Sequence, residues 1–226
     1  MVQLFKEDIK TPEVLAWKGV HLFHFSGSSC SQKTRIVLNL KGIEWISHPI
    51  NLLKAENYSQ RYLGINPRGL LPALVHNGDV HIESNDIVSY LDDTFETPKL
   101  IPSKYRGRIL EQLNTEDELH LALRTLTFGF CLPSFLTRKP PAALNALESN
   151  EGTVEGKIDS HKKVQLAFWR ELAEHGVTTD QAINAAKRFK KAFSSVEQQL
   201  AGQAFLYGDE ISIVDIVWFI YAHRLR

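Results

Sequence analysis

The sequence predicts an α/β unit followed by an all-helical half. Three observations carry this reading. Residues 20–100 alternate short apolar runs with amphipathic segments in the order βαβ, then ββα. Beyond Pro98 and Pro102 only long segments of helical spacing remain. The chain has 226 residues, 43% of them hydrophobic and 23% charged, enough to bury a sizeable core in one large domain or two small ones.

Residues 1–19 are polar and mixed, with Pro12 early, and read as an arm leading to the first strand. His21-Leu22-Phe23-His24-Phe25, between Gly19 and Gly27, is that strand. A helix begins near Ser29 to Ser31, with Ile36, Val37, Leu38 and Leu40 on its apolar side and Gly42 as its stop. Trp45 to Asn51 is the second strand, closing a βαβ unit of the parallel type. Leu52 to Gly69 is irregular, with a short helix around Tyr58 to Leu63 and a turn at Asn66-Pro67-Arg68-Gly69. Leu70 to Val75 and Val80 to Ile82 form a hairpin around Asn77-Gly78. A helix from Asn85 to Phe95 follows, capped by Ser84 or Asn85.

In the helical half, Gly107 to Phe128 is the first long helix, and Arg138 to Gly156 reads as a loop containing Pro140-Pro141. Helices are expected over Lys157 to His175 and Thr179 to Ala201, the second with Lys187-Arg188 and Lys190-Lys191 on a solvated face. Ser212 with Asp215 three residues on has the spacing of a capping box opening a last helix. No internal repeat or low-complexity segment interrupts this order.

Lys plus Arg equals Asp plus Glu at 26 each, which argues against a broad nucleic-acid surface. No run of 18 apolar residues suggests a membrane span; Asp215 and His223 break the most apolar late stretch. The N-terminus lacks the basic-then-apolar pattern of a secretory signal. Two cysteines, Cys30 and Cys131, make no disulfide framework, and a cytoplasmic location is the simplest expectation. The nine histidines form no metal-ligand spacing, and His21 and His24 read as exposed or hydrogen-bonded strand residues. No Gly-rich nucleotide loop is present.

Three motifs can carry chemistry. Gly27-Ser28-Ser29-Cys30-Ser31 lies between a strand and a helix, where free N–H groups and the helix dipole favour a thiolate. A serine there can hold a bound thiolate, a cysteine can be the nucleophile, and either can be an ordinary part of a helix cap. Leu71-Pro72 opens an apolar strand, where a cis bond would present the Leu71 main chain to a peptide-like ligand. Glu83-Ser84 precedes a helix and would suit an amino-carboxylate head group or, again, a plain cap.

Taken together and in this order, the three motifs resemble the glutathione transferase superfamily, strongly over residues 20–102 and more loosely beyond. Ser28-Ser29-Cys30-Ser31, Arg35, Leu38-Asn39-Leu40-Lys41-Gly42-Ile43, Pro49-Ile50-Asn51-Leu52 and Ile65-Asn66-Pro67 are similar to the zeta class, which includes maleylacetoacetate isomerases; Gln32 stands where that class usually has a tryptophan. The resemblance implies a thioredoxin-like N-terminal domain at 20–100 and an all-α C-terminal domain at 105–226, shortened at its end, with 1–19 as an arm. It implies glutathione as co-substrate and no metal. Ser28 and Cys30 would be the catalytic candidates; Ser29, Asn57, Leu71, Pro72, Glu83 and Ser84 would contact glutathione. It further implies a homodimer and a small electrophilic second substrate; composition suggests the apolar residues around Leu126 to Phe135 as the lining of its pocket. Alternatives are a glutathione-dependent isomerase or lyase, thiol–disulfide exchange at Cys30, and a non-catalytic binding protein on the same fold.

Overall fold

The computed structural model describes residues 2–133 and 137–226. They group into two compact units, one of residues 1–91 with 138–174, the other of 92–137 with 175–226.

The first unit is built on a four-stranded sheet of order β2-β1-β3-β4. The strands are β1 (Val20–His24), β2 (Trp45–Pro49), β3 (Ala73–His76) and β4 (Asp79–Ile82). β1 and β2 are parallel, connected through α1 (Ser29–Leu40), as the βαβ spacing predicts. β1 pairs antiparallel with β3, and β3 with β4. The hairpin turns on Asn77 and Gly78, both with positive φ (53° and 91°), the requirement of a type I′ turn. A side chain at Gly78 would meet the Leu15 carbonyl oxygen at 2.3 Å, so only glycine fits.

Strand alternation sends Leu22 and Leu74 to one face and Phe23, Ala73, Val75 and Ile82 to the other. The second face packs Tyr62 and Ile65, with Leu4, Ile9 and Val14 from the N-terminal arm. The arm is thus part of the core. It also covers the β4 edge, with Leu4 N–H donating to Val80 O (2.9 Å) and Ile82 N–H to Val2 O (3.1 Å). An edge strand so covered offers no free ladder to another chain.

Arg138 to Gly156 is not a loop. It holds α5 (Pro141–Ser149) and the first strand of a small hairpin, β5 (Thr153–Val154) with β6 (Lys157–Ile158). The proline pair suggests a break, but Pro141 sits in the first turn of α5, where its missing N–H costs nothing. β6 also takes the residues expected to open the following helix, α6, which runs His161–His175. Leu147 and Leu166 from these helices pack with Ala55, Tyr58 and Leu63, and Trp169 Nε1–H donates to Tyr58 Oη (2.9 Å). Asp8, buried in the arm, accepts from Phe5 N–H (3.0 Å), Gly156 N–H (3.1 Å) and the Thr153 hydroxyl, joining arm and hairpin.

The strand histidines are buried and hydrogen-bonded. His21 Nδ1 lies 3.0 Å from His48 Nε2, and its Nε2 2.9 Å from Lys18 O. His24 Nε2 lies 2.8 Å from Ser47 Oγ. Burial lowers the pKa of both His24 and His48, aided by Arg35 and by His21 respectively.

In the second unit, α4 (Arg106–Leu126) packs against α7 (Thr179–Leu200) and α8 (Ile213–Leu225). The segment Thr127–Cys131 continues α4 as a π-helical turn. Phe189, Phe193, Trp218 and Tyr221 form an edge-to-face aromatic chain with centroids 5.7–6.1 Å apart. Buried Glu116 accepts from Tyr221 Oη–H (2.6 Å) and pairs with His120 Nε2 (2.8 Å). The expected box opens α8, where Asp215 Oδ2 accepts from Ser212 N–H and Oδ1 from Leu206 N–H, both at 2.8 Å. Among the described residues, no helix is long and apolar enough to cross a membrane.

His81 on β4 is 1% exposed, stacked on Tyr90 at 3.9 Å, and neither ring nitrogen has a hydrogen-bond partner among the described residues. Burial pushes its pKa down from 6.5 to about 4. Between these values the unfolded chain binds a proton that the folded chain refuses. Stability should therefore be unaffected by this group above pH 6.5 and fall on acidification towards pH 4, at up to about 1.4 kcal/mol per pH unit. Urea unfolding across this range should show a shallower loss for His81→Phe, which keeps the stacked ring and removes the titration; equal slopes would exclude His81 as the cause.

Candidate active site

One register row, Phe23–Ala73–Ile82, crosses β1, β3 and β4. All three predicted motifs leave the sheet at the same end of this row. β1 continues through His24 into the turn that reaches Ser28; Leu71-Pro72 leads into β3; Glu83-Ser84 follows β4. Neighbouring strands lie about 4.8 Å apart, so the three segments emerge side by side across about 10 Å.

Ser28 is the N-cap of α1, with extended backbone (φ −83°, ψ 122°). Its Oγ accepts from Ser31 N–H at 3.2 Å. A hydroxyl holds one donor and two acceptor sites, so this bond leaves the Ser28 O–H proton for another partner. Ser29 is the first helical residue and Cys30 the second, all three half-buried, and Cys30 is in no disulfide. Ser31 is buried, its Oγ accepting from Phe25 N–H at 3.3 Å, which closes the turn from strand to helix.

The Leu71–Pro72 bond is cis. Leu71 lies outside the β3 ladder, which ends at Ala73, and among the described residues its main-chain groups are in none of the turn hydrogen bonds. The two preceding carbonyls are held from the interior. Gly69 O accepts from Asn57 Nδ2 at 2.7 Å, and Leu70 O accepts from Tyr62 Oη (2.6 Å) and Asn66 Nδ2 (2.8 Å). Gly69 has φ +62°, and a Cβ there would lie 2.7 Å from the Tyr58 ring. Asn57 is only 3% exposed, so its amide is engaged with this turn rather than with solvent.

Glu83 is half-buried with φ +65°, an uncommon conformation for a residue with a side chain. Buried Ser84 is the first residue of α3 (Ser84–Thr94). Two charged residues that the sequence does not single out join here. Arg68 Nη1 donates to Glu83 Oε1 at 2.5 Å, and Arg68 Nε donates to Asp159 Oδ2. Asp159 Oδ1 in turn accepts from His161 N–H (2.8 Å) and lies 2.9 Å from His161 Nδ1. Burial opposes the Arg68 charge, but Glu83 and Asp159 outweigh it and hold its pKa above the ordinary value. Burial likewise opposes ionisation of Asp159, and the bonds from His161 and Arg68 overcome it and bring its pKa below the usual value. The pattern Asn-Pro-Arg-Gly reads as a turn, and nothing local ties Arg68 to a partner 91 residues away. Lys33 of α1, 1% exposed, directs its Nζ to Asn85 Oδ1 of α3, joining the two helix starts.

Of the stretch expected to line a second-substrate pocket, Ser134 to Leu136 lie outside the described residues. Leu126 ends α4 and Thr127–Cys131 form the π-helical turn.

The profile for the glutathione S-transferase N-terminal domain matches residues 27–94, and that for the glutathione S-transferase C-terminal domain matches 164–226. The chain is 30% identical over 169 residues to maleylacetoacetate isomerase of Mus musculus, covering 65% of this chain and 72% of the relative. The chain belongs to the glutathione S-transferase family. Within the family it is zeta-like. Its match to glutathione S-transferase Z2 of Arabidopsis thaliana rises to 44% identity over 88 residues, 38% of this chain and 39% of the relative's length. The fold expectation is borne out by the crystal structure of beta-etherase LigF from Sphingobium sp. strain SYK-6. The two share a TM-score of 0.76 at 24% identity, over 91% of this chain and 83% of that one.

The cap geometry generates a prediction independent of any ligand. Ser28→Ala removes the acceptor for Ser31 N–H and should lower stability by about 1 kcal/mol, while Ser28→Asp should retain most of it. Equilibrium urea unfolding of both variants checks this.

Proposed function

We propose that this chain is a glutathione-dependent enzyme that activates the glutathione thiol at the start of α1 for reaction with a small electrophilic substrate. The observation that carries the reading is the exit of Ser28, Leu71-Pro72 and Glu83-Ser84 from one end of the Phe23–Ala73–Ile82 row. Three chemically different groups then address one peptide-like ligand. The Ser28 hydroxyl, already taking a backbone N–H, donates a hydrogen bond to the thiolate sulfur, beside the positive end of the α1 dipole. The Leu71 main chain, outside the ladder, pairs with the cysteinyl part of the ligand. Glu83 takes the γ-glutamyl ammonium, with Ser84 and the α3 N-terminus beside it for the carboxylate. Asn57 acts through the turn it holds. Ser29 lines the entry to α1, and Cys30 neighbours the sulfur position. Glutathione supplies the sulfur: its thiol proton is released to solvent, the thiolate forms the bond to carbon, and the displaced electron pair departs with the substrate's leaving group or, in an addition, shifts along the acceptor's double bond and is protonated by solvent.

A second reading, cis–trans isomerisation in which glutathione is returned unchanged, is favoured by the similarity to maleylacetoacetate isomerase. Incubation with glutathione and maleylacetoacetate separates the two. Isomer formed with the thiol pool undiminished supports isomerisation; a stable conjugate with loss of thiol supports transfer; neither, with no glutathione binding, sinks the proposal.

Removing one preorganised donor from a developing or bound anion costs on the order of 10²-fold in rate. Ser28→Ala should therefore lose about 10²-fold in turnover and raise the pKa of the bound thiol, read from its ultraviolet thiolate absorbance. Cys30→Ser should leave both nearly unchanged. The reverse pattern would move the chemistry to Cys30 and thiol–disulfide exchange.

A further inference from the structure

The charges around Glu83 extend the site beyond the residues its motifs name. The Arg68, Glu83 and Asp159 side chains are 10%, 32% and 12% exposed. Arg68 is thus enclosed between two carboxylates and reaches both with separate nitrogens of its planar fork. One guanidinium balances only one of two carboxylates. The three side chains together therefore carry one more negative than positive charge, and the most accessible of them is Glu83. Of the Glu83 oxygens, Oε1 is committed to Arg68, which leaves Oε2 as the acceptor for an incoming ligand. An acid held this way selects a cationic group, and its direction is set by the bond beneath it. Arg68 is in turn fixed by Asp159, which is anchored at the start of α6 by His161 N–H.

We propose that Arg68, held by Asp159, is the positioning residue that fixes Glu83 for the α-ammonium of a γ-glutamyl ligand, so that the 150–161 segment helps to determine what the site accepts. This rests on the glutathione reading above. Lysine at position 68 is a single point charge that cannot fork between both acids, so it should rescue only in part. Asp159→Asn keeps a hydrogen-bond acceptor for Arg68 and removes the competing charge, so its effect should be smaller than that of losing Arg68.

The test is calorimetric titration of the full chain with two probes: glutathione, and its des-amino analogue, glutaryl-cysteinylglycine, which lacks only the α-ammonium. Wild type should prefer glutathione. Arg68→Gln should weaken glutathione binding by at least tenfold and leave the analogue within about threefold, so the two losses differ by at least about threefold, roughly 0.7 kcal/mol, which separates a lost ammonium contact from a general loosening. Arg68→Lys should fall between the two, and Asp159→Asn should lose a few-fold for glutathione alone. Equal losses for both probes, or unchanged glutathione affinity in Arg68→Gln, would overturn the role of Arg68 while leaving the function standing. If Arg68→Gln does not fold, the Arg68→Lys and Asp159→Asn pair decides by the same comparison of probes. Wild type that binds neither probe overturns both proposals.

Discussion

Antiparallel pairing of β1 with β3 at Phe23 and Ala73 is the constraint on which the rest of the first unit depends. A strand has a period of two, so a slip of one residue would turn Ala73 and Val75 away from the face that Phe23 shares with Tyr62 and break up the core. The same slip would shift Leu71-Pro72 along the edge relative to Ser28. The apolar pattern that makes the core and the alignment that makes the site are therefore one requirement. The type I′ turn at Asn77-Gly78 enforces it locally, because a two-residue loop leaves β3 and β4 a single register.

The legible parts of the fold are those whose cause is short-range. A strand bounded by glycines, an Asn-Gly hairpin, Ser28 ahead of α1 and Asp215 three residues after Ser212 each carry their reason within a few residues. The turn after β1, the proline before β3 and the acid after β4 are visible for the same reason. What escapes the sequence is long-range. Arg68 looks like turn composition until Asp159 arrives from the hairpin segment. The N-terminal segment looks like a polar arm because the apolar residues it buries, Leu4, Ile9 and Val14, fall at spacings set by two 3-10 turns rather than by an α- or β-period. Residues 138–156 look like a loop because Pro140-Pro141 breaks a helix only when preceded by one. His81 has no sequence sign of its burial, since its neighbours on β4 alternate as any edge strand would.

Buried polar groups do different work in the two units. In the helical unit, Glu116 is satisfied by Tyr221 and His120, and Asp215 spans Ser212 and Leu206; these bonds fix helices whose faces are otherwise apolar. In the first unit the engaged groups converge on the site's own backbone. Asn57, Tyr62 and Asn66 hold the two carbonyls before Leu71, and Arg68 holds Glu83, whose positive φ is sustained only if its surroundings over-determine it. Replacing such donors by apolar groups would fill the same volume and release the turn they direct. Their chemistry is thus accounted for by geometry at the sheet end, not by packing alone.

The residue chosen for the α1 cap bears on the proposed chemistry. Asp, Asn and Ser cap a helix about equally well, so stability alone does not select among them. An ionised Asp accepts the Ser31 N–H but has no proton to give, and its charge would oppose a thiolate. Asn carries its donor on a different atom from the capping oxygen, so both directions cannot be served from one point. A hydroxyl accepts and donates at the same oxygen. Ser28 can therefore close the helix inward and address a sulfur outward, and the inward bond fixes where the outward one points. A cap and a thiolate partner are not competing interpretations of this serine, because the first provides the orientation that the second requires.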